Sequence, residues 1–241
     1  PPICVFSPVL RGRDGSKKNT LENITEVPEV VINIVNYDMV QQTSLASTEY
    51  AKGVNEFVKA GFTELASQQI QPPRVKEAPV QLECKVNQVI SLGDGGGAGA
   101  IVIAEVLVIH LSEAILDENG KIDVFKIDQV ARLGGNWYSR ITPESLFEVA
   151  KPLSKLGIGI DALPEDIKNS KILTGNHLGQ LANVEQLPTE EEVEAFTKNW
   201  EVKEILDSTI GDGKTRNMQC DWSTPRRNRN DKSLLAYCTG L

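Results

Sequence analysis

The stretch from Ser7 to Asn36, SPVLRGRDGSKKNTLENITEVPEVVINIVN, decides the fold. It reads as a loop rich in Arg and Lys, then a short helix, then a strand. Asn19 and Thr20 both suit a helix N-cap. Glu22 stands three residues after Asn19, where the acid of a capping box sits. Pro28 ends the helix, because it can neither donate a backbone hydrogen bond nor fit the helical turn before it. Val30 to Val35, VVINIV, is β-branched except at Asn33 and predicts a strand.

The helix start is the chemically active part. Its first N–H groups have no partner inside the helix, and the helix dipole adds partial positive charge. Arg11, Arg13, Lys17 and Lys18 lie just before it. Four cations beside a helix N-terminus, in an acidic chain, suit a phosphate. A solvated basic loop ahead of an ordinary capped helix is the bland alternative, and local chemistry leaves both open.

Working outward, Ile3 to Phe6 is a short apolar strand. Residues 37–62 look mostly helical, with Val54, Phe57, Val58 and Phe62 at helical spacing and breaks at Gly53 and Gly61. Gln71-Pro72-Pro73-Arg74 is a turn or extended link. Pro79 to Leu92 alternates as a strand does, Gly93 to Gly99 is a glycine-rich turn, and Ala100 to Leu111 is a stronger strand. Together they predict a hairpin. Asp117 to Gly120 is a turn. Lys126 to Arg132 reads as a helical turn ending at Gly134-Gly135. From about residue 143 the texture is helical with polar breaks, and Thr189 and Glu192 form a capping box. Residues 214–229 are polar and basic with few apolar anchors, as a loosely ordered tail is.

Composition narrows the function. The chain has 241 residues, 40% hydrophobic, with 25 basic and 33 acidic residues and a net charge of −8. That suits a packed core and argues against non-specific nucleic-acid binding as the main role. No apolar run is long enough to cross a membrane, and no secretory signal is visible. The chain begins Pro1-Pro2 with no Met, as a processed or partial end does. Four cysteines, at 4, 84, 220 and 238, lack CxxC spacing and read as buried thiols of a reducing, cytoplasmic compartment.

Several chemistries find no support. Residues 93–98, GDGGGA, match GxGxxA, but a β-branched strand follows where a dinucleotide fingerprint needs a helix. His110 and His177 are the two histidines, and neither has a ligand partner at metal-binding spacing, so no metal is expected. No GxSxG signature marks a nucleophile, and no catalytic residue is assigned. Arg132 to Tyr138, RLGGNWY, is unusual. Its glycines either let the backbone approach a ligand closely or cap a helix ahead of core aromatics.

FSP, R..DGS.K.NTLEN and VVINIVN, then PPRVKEAPVQLECKV, then ARLGGNWY, occur in that order. Over roughly residues 1–140 this pattern resembles the flavin reductase-like family, flavoredoxin included. The resemblance implies an FMN-binding split β-barrel, mainly β with helices, and a helical C-terminal extension over 141–241. It implies barrel strands at Ile3–Phe6, Val30–Val35, Val80–Ile90 and Ala100–Leu111. It places Lys18 and Thr20 on the FMN phosphate, with Ser7, Arg11, Arg13 and Asn19 as further contacts. Asn23 and Asn33 would fix the loop or face the flavin. Arg132, Gly134, Gly135 and Tyr138 would close over the cofactor or line the nicotinamide side. It also implies a homodimer with FMN near the interface, and N-terminal strands ahead of Pro1 that contact the isoalloxazine ring.

The function so implied is an FMN-dependent oxidoreductase in which NAD(P)H reduces bound flavin. An electron carrier reduced by a protein partner is the alternative within the same fold, and a charge of −8 suits docking to a basic partner. A non-catalytic FMN-binding or structural dimer is the third possibility. Neither a membrane nor a nucleic acid is an expected partner.

Overall fold

The structure, a computed structural model, describes residues 1–149 and 156–198. The chain divides into two units, Pro1–Leu146 and Phe147–Leu241. The basic stretch 214–229, Cys220 and Cys238 lie outside the described residues.

The first unit is built on an antiparallel sheet. Its strands are β1 (Ile3–Phe6), β2 (Glu29–Ile34), β5 (Val80–Ser91) and β6 (Ala100–Leu111), in the order β1-β6-β5-β2. All four strands expected from sequence are therefore present. β5 and β6, 12 residues each, form the long hairpin around the glycine turn. Their register runs from Ser91 opposite Ala100 to Val80 opposite Leu111, with irregularities at Glu83/Cys84 and Val86/Gln88. Two short strands, β3 (Glu64–Leu65) and β4 (Arg74–Val75), pair separately.

The helix α1 (Asn19–Glu26) covers one face of this sheet. Leu21 and Ile24, three apart, fall on one side of the helix and pack against Cys84, Val86, Ala100, Val102 and Ala104. Small residues at 100 and 104 let the helix sit close. Each of these two apolar side chains stabilises the fold by roughly 1.5–3 kcal/mol on burial. A second cluster, Val80, Ile115 and Ile127 with Ile34 and Leu82, closes the other end of β5.

Two sequence expectations are corrected here. Residues 37–62 hold less helix than their spacing suggests. A 3-10 turn at Tyr37–Met39 leads into α2 (Val40–Ala46), and α3 (Glu56–Ala60) follows after a loop. Ser47 ends α2 by turning its hydroxyl onto the Ser44 carbonyl at 2.6 Å. Gly61 ends α3 with φ 69°.

The second correction concerns Lys126 to Arg132, which is not a helical turn. Asp128 sits at φ 49°, which breaks any helix. β7 (Val130–Gly134) and β8 (Trp137–Arg140) then form a hairpin. Gly134 (φ 103°) and Gly135 (φ 54°) make its tight turn, so they are not a helix cap. Arg140 closes the base with a two-point contact to the Asp128 carboxylate at 2.8 and 2.7 Å.

In the second unit, short helices α4 (Glu165–Lys168), α5 (Gly175–Leu181) and α6 (Glu190–Thr197) are described. Leu163, Ile167, Leu181 and Ala182 form its core. The expected capping box at α6 is present: Thr189 Oγ1 accepts from Glu192 N at 3.2 Å, and Glu192 Oε2 accepts from Thr189 N at 2.9 Å.

Candidate functional site

The basic loop between β1 and α1 is a folded turn. Arg11 and Ser16 are joined by Arg11 N–H to Ser16 O at 2.8 Å, and Gly15 N–H returns to Arg11 O at 2.8 Å. Asp14 Oδ1 accepts from the Ser16 N–H at 2.9 Å and from its hydroxyl at 2.6 Å. Those two hydrogen bonds hold the Asp14 carboxyl below its usual range, with Arg13 and Arg11 adding to the effect. Arg11 turns inward, donating to Ser16 Oγ at 3.3 Å and to the Lys17 carbonyl. Arg13 reaches Glu49 at 2.7 Å. Among the described residues Lys17 and Lys18 have no ion-pair partner, and both are exposed.

The helix start differs from its sequence expectation. Lys18, not Asn19 or Thr20, occupies the N-cap, with extended backbone (φ −74°, ψ 150°) and no side-chain cap. Asn19 enters the helix because its amide donates to the Tyr50 carbonyl at 3.5 Å. Glu22 does not reach back to form a capping box; it faces Lys52 at 3.6 Å. The N–H groups of Leu21 and Glu22 fold onto the Lys18 carbonyl at 2.9 and 3.2 Å. The helix end thus keeps its dipole, its uncapped first turn and two exposed lysines. That donor set fits a phosphate monoester.

The glycine turn 93–99 holds this loop in place, a role that sequence reading missed. Leu10 N–H donates to Ala98 O at 2.8 Å, Gly97 N–H to Leu10 O at 3.2 Å, and Ala100 N–H to Pro8 O at 3.0 Å. A Cβ at Gly96 would lie 2.6 Å from the Gly12 carbonyl oxygen, and one at Gly99 would lie 3.0 Å from Ser7 Oγ. The run of glycines was the available signal: it permits two backbones to touch. Glu49, which pairs with both arginines, carried no signal in the sequence.

Ser7, Arg11, Arg13, Lys18, Asn19, Thr20 and Asn23 therefore belong to one loop and helix. The other expected residues stand elsewhere. Asn33 is on β2, where its Oδ1 accepts from Val75 N–H at 3.1 Å. Arg132, Gly134, Gly135 and Tyr138 lie in the β7–β8 hairpin. Arg132 donates to the Gly135 carbonyl at 3.3 Å and stands 5.9 Å from the Tyr138 ring centroid. The base of this hairpin joins the rest of the first unit through the Asn36–Gln129 bridge, beside the Ile34 end of β2. Among the described residues no group of three or more His, Cys, Asp and Glu could hold a metal. No described helix is long and apolar enough to cross a membrane.

Comparison with known proteins defines the class first. A mixed β fold with helices is shared with split-barrel flavin reductase folds. Residues 1–126 match the flavin reductase like domain, and the chain belongs to that family. It is 32% identical over 149 residues to an uncharacterized protein of Aquifex aeolicus, covering 62% of this chain and 74% of that one. Component B of nitrilotriacetate monooxygenase from Bacillus cereus superposes with a TM-score of 0.56 at 26% identity, over 62% of this chain and 72% of that one. A split-barrel protein from Shewanella frigidimarina superposes with a TM-score of 0.52, also at 26% identity, over 62% and 72% of the two chains.

Proposed function

We propose that this protein is an FMN-binding oxidoreductase, an NAD(P)H-dependent flavin reductase, acting as a cytoplasmic homodimer. The observation that carries the reading is the uncapped start of α1 with exposed Lys17 and Lys18 beside it, in a chain of the flavin reductase family. Flavin, when bound, supplies the hydride-accepting chemistry itself.

The chain's own residues position and exclude. Lys18 and Thr20 hold the phosphate, with the first-turn N–H groups of α1 and Ser7 beside them. Arg13 adds positive charge at the rim, and Arg11 keeps the loop in shape by binding its carbonyls. Asn19 and Asn23 fix the helix that carries the site, and the Asn33 amide stays available for a ring oxygen or nitrogen. Arg132 and Tyr138, turned by Gly134 and Gly135, serve the nicotinamide side. In this reading no acid–base pair is needed.

The phosphate assignment is tested by titrating FMN and riboflavin into wild type and into Lys18→Ala/Thr20→Ala. FMN binding should weaken by roughly 1.5–3 kcal/mol, the size of a lost charge-assisted contact, while riboflavin binding stays unchanged. Equal losses for both flavins would remove the phosphate role.

A further inference from the structure

A second polar centre lies at the other end of the β5–β6 hairpin. The glycine turn and the basic loop sit at Ser91–Ala100, whereas this centre sits at Val80–Leu111, 11 register steps away. At a strand rise of about 3.3 Å per residue, that is on the order of 30 Å. A cleft of about 480 Å³ opens here, lined by Leu65, Arg74, Lys76, Gln81, Ile109 and His110 among others.

Its floor is built around one carboxylate. Glu83 is 0% exposed. It accepts from the Gln68 and Gln69 N–H groups at 2.8 Å each and meets His110 Nε2 at 2.7 Å. Burial opposes its ionisation, yet the two N–H groups and His110 outweigh that and hold its carboxyl below the usual range. An ionised Glu83 can only accept, so His110 Nε2–H is the donor; this orients the ring and leaves its Nδ1 unengaged by Glu83. Arg74 stands 3.6 Å from the same carboxylate and is 11% exposed. Its Nε and Nη2 donate to Ala66 O, and its Nη1 to Gln81 Oε1 at 2.8 Å. Five N–H groups with three so used leave the second hydrogen of each Nη for a ligand.

No carboxylate lines the cleft itself. Glu83 lies behind Arg74 and His110. Of the two acids flanking β3 and β4, Glu64 accepts from Asn55 Nδ2 at 2.9 Å and Glu77 from Thr63 N–H at 3.0 Å. Lys76 is exposed at the rim, and aliphatic walls, Leu65, Ile109 and Leu111, complete the lining. Leu65 is 36% exposed, Ile109 55% and Leu111 40%, so this apolar surface is not covered by the described residues.

We propose that this cleft binds a small aliphatic carboxylate, with the charged end on Arg74 and Lys76, beside the His110 ring, and the carbon chain against Leu65, Ile109 and Leu111. The cleft lies at the other end of the β5–β6 hairpin from the phosphate loop, on the side of Asn33, which pairs with Gln81. Cations with their counter-charge buried behind them, and apolar walls in front, select an anion with an apolar body.

The test uses the whole chain and its two histidines, His110 and His177, as imidazole NMR probes. Hexanoate should move the His110 signals and leave those of His177 in place. Acetate, lacking the chain, and hexanamide, lacking the charge, should each bind about tenfold more weakly or not at all. Lys76→Met, an exposed change that spares the fold, should weaken hexanoate by about tenfold, the equivalent of a lost charge-assisted contact. No hexanoate shift at His110 would overturn the proposal. Equal binding of acetate or of hexanamide, or unchanged affinity in Lys76→Met, would overturn it too.

Discussion

At the scale of single residues, the informative positions are those where backbone or burial leaves no alternative. Gly96 is one: the carbonyl of Gly12 occupies the space where a Cβ would go. Gly96→Ala should therefore displace the loop carrying Arg11 and Arg13 and lower FMN affinity several-fold, read by fluorescence titration, although residue 96 touches no phosphate. Glu83 is another. Glu83→Gln removes the charge from at least three hydrogen bonds and should cost about 3 kcal/mol in urea unfolding. Because its folded carboxyl lies below the usual range, Glu83 contributes stability that is present above the ordinary carboxylate value and lost as pH falls through its folded one.

Cys84 titrates in the opposite sense. Burial, and Cys4 nearby, push its thiol from 9.0 up to about 11. The folded chain keeps the thiol neutral where the unfolded chain ionises it. Stability that is intact below pH 9.0 should be lost between 9.0 and about 11. Comparison of urea midpoints of wild type and Cys84→Ala should show their gap narrowing across that window. A constant gap would mean that Cys84 is not shielded from solvent.

At the scale of elements, strands were the most legible part of the sequence. β-branched runs at 30–35 and 100–111 name their own conformation, and the glycines between β5 and β6 name their turn. The phosphate-suited loop was legible as a cluster of cations, but its organisation was not. Arg11 and Arg13 are tied to Glu49, more than thirty residues away, and no local pattern announces a long-range ion pair. The start of α1 misled because Asn19 is a good cap in isolation, yet a carbonyl at Tyr50 draws its side chain away. The β7–β8 hairpin was misread because Lys126 to Arg132 has helical composition, whereas Asp128 takes a positive φ anchored by Arg140. Asp128→Ala should loosen this hairpin: it leaves Arg140 over the Tyr37 ring at 3.7 Å but without its carboxylate. Hydrogen exchange of the 130–140 amides should speed up in that variant while β5 and β6 stay protected.

At the scale of the molecule, several aliphatic side chains of β1 and β6 are left exposed. Ile3 is 49% exposed, Val5 61% and Leu107 42%, and Val5 lies opposite Ile103 in the register. We propose that a second copy of the chain covers these side chains. Sedimentation should report a dimer for wild type and a monomer for Val5→Asp. The chain's net charge of −8 would favour a basic electron-transfer partner if nicotinamide were not the donor.

We propose that this chain passes hydride from NAD(P)H to a bound flavin. Its most direct test is the absorbance spectrum of the FMN-loaded protein, taken anaerobically before and after NADH or NADPH is added. One of the two should bleach the flavin band at the rate of mixing or soon after. A flavin that stays bound and stays yellow with both donors would contradict it, and would make the protein a carrier reduced by another protein.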